Sequence, residues 1–197
     1  MFIQTESTPN PATMKFLPGC EVMGHGAVAD FPDRESAQRS PLAAALFEIE
    51  DVSRVFFGSD FISVTTSGGD WRHLKPPILG AIMEHFTREL PLFESSAEEP
   101  QAEESYSDED AEVVDQIKEL LDTRVRPAVA ADGGDIVFRG YREGVVRLHM
   151  QGACSGCPSS TLTLRHDAES VFLRWITPAG LRSPRVRNAA AGSGCRA

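Results

Sequence analysis

The chain has 197 residues, a net charge of −10 and 41% hydrophobic residues, which suits one or two small globular domains. An acidic balance argues against general nucleic-acid binding, which draws on clustered Lys and Arg, and no apolar run approaches the roughly 18 residues of a membrane span. The opening MFIQTESTPNP has neither the basic and apolar regions of a secretory leader nor the Arg-rich, acid-poor look of an organelle transit peptide, so the expectation is a cytoplasmic protein.

FIQTE and TMKFL have strand composition and flank STPNPA, whose Pro and Asn are turn formers. The STPNP turn, residues 7–11, has a structural reading as a rigid connection and a functional one as a contact surface. SPLAAALFEI predicts a helix with Ser40 as N-cap and Pro41 at its first position. VSRVFFGSDFISVTT predicts a hairpin turning at Gly58, Ser59 and Asp60, with alternation carried by Val55, Phe57, Phe61 and Ser63. PPILGAIMEHFTREL places Ile78, Ile82, Met83 and Phe86 on one helical face.

The stretch FESSAEEPQAEESYSDEDAE then breaks the pattern with Glu, Asp and Ser. It buries too little apolar surface to offset its ordering entropy and reads as a self-repelling, flexible linker. Beyond it, EDAEVVDQIKELLDTRVRPAVA spaces Val113, Ile117, Leu120, Leu121 and Val125 as a helix that Pro127 stops or kinks. DGGDIVFRGYREGVVRLHMQG reads as turn, strand, turn, strand, with DGGD (132–135) as the first turn, and PSSTLTLRHDAESVFLRWI returns to helical spacing. The fold class is α+β: two small α/β-sandwich-type domains, 1–92 and 111–176, an acidic linker at 93–110, and a tail at 177–197 that reads as disordered.

Between the last strand and helix lies GACSGCPSS, with Cys154 and Cys157 framed by Gly and followed by Pro158. Pro158 suits a first helical position, which puts Cys157 at the N-cap, where the partial positive charge of the helix favours thiolate. Gly152 and Gly156 permit close approach of backbone to a bound group. Such a pair suits two structural cysteines, a thiol–disulfide oxidoreductase, a zinc-stabilised interaction module or a metal cluster. The cluster reading needs four ligands, and of the four cysteines Cys20 reads as a buried thiol in the other domain and Cys195 as a tail thiol. His149 falls on the strand face opposite Val146, Leu148 and Met150. A second copy of the chain supplies the missing pair if two loops meet on a two-fold axis.

TPNPATMKFLPG, SPLAAALFEIEDVSRVFFGSDFISVT, WRHLKPPI, IKELLDTRVRPAVAADGGDIVFRG and GVVRLHMQGACSGCPSST closely resemble the Nfu-type, NifU-like iron–sulfur scaffold and carrier family. The resemblance covers about residues 1–90 and 111–165. It implies a non-enzymatic assembly protein and a labile 4Fe–4S cluster held between two subunits by Cys154 and Cys157 of each, then passed to apo iron–sulfur proteins. Upstream assembly proteins are the other implied partners, with neither nucleic acid nor membrane. A 2Fe–2S cluster takes four cysteines as well, so the cluster type stays open. The family's N-terminal domain implies a role in partner recognition. After about Leu164 the likeness fades: a terminal Val-rich strand is expected where this chain has HDAESVFLRWITPAGLRSPRVRNAAAGSGCRA. Without that strand the second domain would expose a sheet edge and be prone to aggregate.

Overall fold

A computed structural model describes residues 2–24, 26–93, 106–107, 110–142, 145–155 and the strand 185–188. The chain folds as two α+β units. In the first, β1 (Gln4–Ser7) and β2 (Thr13–Leu17) pair antiparallel across the STPNPA turn. Asn10 makes that turn rigid: its Oδ1 accepts from the Ala12 amide at 3.1 Å and its carbonyl accepts from Thr8 Oγ1 at 2.9 Å. β3 (Ala29–Phe31), β4 (Val52–Phe57) and β5 (Ile62–Thr66) complete an antiparallel sheet in the order β1-β2-β5-β4-β3.

Helices α1 (Arg34–Ala37), α2 (Pro41–Phe47) and α3 (Trp71–Thr87) supply the other layer. α2 starts as its sequence predicts, with Ser40 Oγ accepting from the Ala43 amide and Pro41 in the first turn, where its missing N–H costs nothing. α3 starts earlier than PPILG suggests. Asp70 caps it by accepting from the Arg72 amide at 2.9 Å, and Pro76 and Pro77 lie inside it. The carbonyls of Arg72 and His73, which those prolines leave unbonded, belong to exposed residues and can reach water. The buried stripe is Leu74, Ile78, Ile82 and His85; Met83, expected on that face, is 47% exposed. Phe16, Phe31, Leu42, Leu46, Phe57 and Ile62 are fully buried between sheet and helices. Leu92 and Phe93 pack against this core, so the unit extends one residue into the segment assigned to the linker.

The second unit opens with α4 (Ala111–Leu120), a π-helical turn (Leu121–Val125) and α5 (Arg126–Ala131). Pro127 thus kinks this helix rather than ending it, the wider turn ahead absorbing the lost hydrogen bond. Val114, Ile117, Leu121, Val125 and Val129 pack on the hairpin of β6 (Gly134–Arg142) and β7 (Val145–Gly152). The expected helix after the cysteine pair lies outside the described residues, as does most of the acidic segment.

The tail departs from expectation. β8 (Arg185–Asn188) pairs parallel with β7, Val145 opposite Arg185 through Leu148 opposite Asn188, so residues read as disordered cover that edge of the hairpin. Backbone pairing needs no apolar pattern, which is why RVRN gave no signal. A chain ended at Ile176 is expected to melt at lower temperature and to aggregate on heating, as light scattering during a thermal scan would register; an unchanged melt would show that β8 adds nothing.

His85 is 4% exposed with its Nε2 unpartnered, and lies edge-on to Phe86 at 5.4 Å. Burial lowers its pKa below the ordinary histidine value. The unfolded chain therefore binds the proton more readily, so this contribution to stability is present above about pH 6.5 and is lost as pH falls through the lower folded value. Urea midpoints of the full chain are expected to drop between neutral and mildly acid pH, with a smaller drop in His85→Phe.

Candidate functional site

The cysteine loop leaves the end of β7 through Gly152, whose φ of 62° suits glycine. The loop turns tightly, with the Ala153 amide donating to the Gly133 carbonyl at 3.2 Å and the Ser155 amide to the Gly152 carbonyl at 3.0 Å. Cys154 is 1% exposed, belongs to the same buried cluster as Ile136, Met150 and Val129, and is in no disulfide. Its close neighbour is Gly134. A Cβ there would stand 2.9 Å from Cys154 Sγ and 2.5 Å from the Gln151 carbonyl oxygen. The DGGD sequence thus supplies more than a turn: Gly134 makes room for the sulfur. Cys157 lies outside the described residues.

Asp135, the last residue of DGGD, is 3% exposed and accepts from Arg126 Nε at 2.9 Å and from a terminal guanidinium nitrogen at 2.7 Å. That bidentate contact, aided by Asp122 at 3.1 Å, holds the arginine's pKa above its ordinary value. It ties α5 to the start of β6 and so fixes the floor of the loop.

The first unit borders the loop on its other side. Asn10 Nδ2 donates to the Ala153 carbonyl at 3.1 Å, and a terminal nitrogen of Arg54 donates to Ser155 Oγ at 2.8 Å. The rest of the Arg54 fork holds Asp30, its Nε lying 2.9 Å from Oδ1. Asn10 and Arg54 were not singled out in the sequence as loop contacts, because nothing local ties them to a loop more than 100 residues away.

Cys20, expected to be buried, is exposed. Val22 and Met23 provide the apolar contacts of that segment, and the Val22 amide donates to the Ser59 carbonyl at 2.8 Å, which leaves Cys20 outside the core. Its partial burial still pushes the thiol pKa up. His149 is half-buried, on the opposite face from Leu148 and Met150 as its alternation predicts. Among the described residues no three His, Cys, Asp or Glu side chains gather as a metal site, and no helix is long and apolar enough to cross a membrane.

Two α+β units, the second carrying Cys154 in the turn that follows its hairpin, define the fold. The family model for the N-terminal domain of scaffold protein Nfu/NifU matches residues 3–89, and the NifU-like domain model matches residues 117–178. The chain belongs to the Nfu/NifU family of iron–sulfur cluster scaffold proteins. The second match runs past Leu164, where the likeness was expected to fade, and includes the stretch expected to form the helix.

The chain is 49% identical over 177 residues to the NFU1 iron-sulfur cluster scaffold homolog, mitochondrial, of Drosophila ananassae, covering 89% of this chain and 61% of that protein. The counterpart in Drosophila erecta is 48% identical over the same length, with 62% of it covered. The chain therefore spans about three fifths of the length of these relatives. A solution structure of a NifU-like protein from Saccharomyces cerevisiae is similar at 22% identity and a TM-score of 0.43, covering 48% of this chain and 86% of that one. The relatives are named as mitochondrial, which overturns the cytoplasmic expectation. That expectation rested on the first residues of a chain that matches only part of each relative.

Gly134→Ala is expected to cost about 2 kcal/mol in urea denaturation, because a backbone carbonyl and a buried sulfur both resist the added methyl. Gly80→Ala in α3, with nothing within 4 Å of the new Cβ, is the control and should stabilise by about 0.5–1 kcal/mol.

Proposed function

We propose that the chain is a mitochondrial iron–sulfur cluster scaffold or carrier that works without catalysing covalent change of a substrate. Cys154 and Cys157 are its cluster ligands. The observation that carries the reading is the placement of Cys154 in a loop of Gly and small residues, backed by Gly134, within a domain of a scaffold family. Two cysteines per chain make half of a four-thiolate set, so the cargo sits between two copies, each giving one pair. A 4Fe–4S cluster is the cargo favoured here.

Delivery follows from thiolate exchange. Each iron–cysteine bond that breaks is replaced by a bond to an acceptor thiolate, and the released cysteine takes up the proton the acceptor thiol gave up. No electron needs to move. Apo iron–sulfur proteins are the acceptors, and upstream assembly proteins are the source. A site shared by two chains opens by separation of the pair, without unfolding either copy.

Native mass spectrometry after anaerobic reconstitution with iron and sulfide tests this. The expected species is a dimer with one added cluster mass, absent from Cys154→Ala and from Cys157→Ala. A metal-free monomer two protons lighter, with the two cysteines joined, would replace the scaffold reading with a thiol–disulfide one. A colourless zinc adduct lost to chelators would replace it with an interaction module.

A further inference from the structure

The outer face of the first sheet is closed to water at several positions of β2, β4 and β5, three of them polar, while β1 stays exposed. Thr13, Lys15, Phe56 and Ser63 point away from the helices of their own unit, and are 2%, 8%, 1% and 1% exposed. A lysine and a serine on an uncovered face would be solvated. What covers Lys15, Phe56 and Ser63 is the second unit.

The contacts have a consistent chemistry. Ser63 Oγ donates to the Gly133 carbonyl at 2.7 Å, Lys15 Nζ to the Ala130 carbonyl at 3.2 Å, and Asn10 Nδ2 to the Ala153 carbonyl at 3.1 Å. In these three, side-chain donors of the first unit meet main-chain acceptors of the second, and Arg126 of the second unit donates back to the Gly26 carbonyl at 3.3 Å. Two of those acceptors lie in the glycine-lined frame of the cysteine loop, which glycine keeps bare. A Cβ on Gly133 would stand 2.7 Å from Ser63 Oγ, and one on Gly152 would stand 2.8 Å from Phe56 Cγ. The two residues flanking Cys154 are both engaged, Ala153 by Asn10 and Ser155 by Arg54.

The contact is not a fused core. Beside it runs a cleft of about 440 Å³ lined by residues of both units, among them Gly26, Phe61, Arg126 and Asp135. The two apolar cores are separate clusters, with Phe56 in neither. Hydrogen bonds beside a cleft, with no core shared between the units, leave the two units able to move relative to each other.

We infer that this sheet face is a docking surface for the chain's own cysteine loop, so that the first unit acts as a removable cap over Cys154. The cap and a second copy's loop compete for the same residues, a consequence that rests on the scaffold reading. Loading and delivery then require the first unit to lift away.

The cap is tested without iron. The reduced full-length chain is pulsed with methyl methanethiosulfonate, and labelling at each cysteine is read by peptide mass spectrometry, with exposed Cys20 as the internal control. Two variants weaken the contact. Ser63→Trp wedges the face from outside the first core. Asn10→Asp combined with Arg54→Lys keeps the turn acceptor at residue 10 and a cation beside Asp30, but removes both loop contacts. Labelling of Cys154 is expected to rise about tenfold, with Cys20 unchanged and a larger radius of gyration in small-angle scattering. Wild-type labelling of Cys154 in both variants would overturn the cap. Anaerobic cluster loading of the same proteins is expected to be faster in the variants. A chain that never takes up a cluster counts against the scaffold reading alone, and the labelling result stands apart from it.

Discussion

Three glycines without side chains set the architecture: Gly133, Gly134 and Gly152 let a loop, a sulfur and a neighbouring sheet occupy nearly the same space. Each removes a different obstacle. Gly134 admits Cys154 Sγ, Gly152 admits Phe56, and Gly133 admits Ser63 while its φ of 83° turns the chain into β6. An alanine at any of the three would push apart parts that are held by backbone pairing on one side and by side-chain packing on the other. The loop, the hairpin and the packing of the two units therefore depend on one steric condition.

Charge then fixes what glycine allows. Arg126 with Asp135 and Asp122 locks the helical side of the loop floor, while Arg54 with Asp30 stiffens the sheet side. Arginine suits both places because its planar fork satisfies a carboxylate bidentately and still has N–H groups to spend elsewhere. Arg126 sends one to the Gly26 carbonyl at 3.3 Å and Arg54 sends one to Ser155, so each ion pair reaches across the contact between units. A lysine would hold the charge and lose the reach.

The elements set by local chemistry were legible in the sequence. Ser40 and Pro41 announce a helix start, and DGGD announces a strand turn, because caps and turns are decided within a few residues. The turn after β7 that holds Cys154 was legible for the same reason. What was not legible depends on distant neighbours. β2 is buried at Thr13, Met14, Lys15 and Phe16 in succession, which defeats an alternation rule that assumes one wet face. Met83 faces water because it falls off the stripe that Leu74, Ile78, Ile82 and His85 share at helical spacing. Cys20 is small and thiol-bearing, a type usually buried, but Val22 and Met23 fill the available space. RVRN forms a strand through its backbone, a bond that side-chain pattern does not report.

A loop that must bind tightly enough to protect a thiol and loosely enough to release a cargo faces opposed requirements. Holding Cys154 within its own core alone would make exposure cost partial unfolding. Leaving it on the surface would invite oxidation, to which accessible thiolates are prone. Sharing its cover between the core under Gly134 and a second unit joined by polar contacts separates the two demands. Cys154 shares a buried cluster with Ile136 and Met150 of its own unit, separate from the contacts to the first unit. The outer contacts are hydrogen bonds, three to main-chain carbonyls and one from Arg54 to the Ser155 hydroxyl, each worth roughly 1 kcal/mol net in water and somewhat more where the donor is charged. Their sum is small enough to reverse without loss of either fold, and a partner that offers equivalent donors can replace them one at a time.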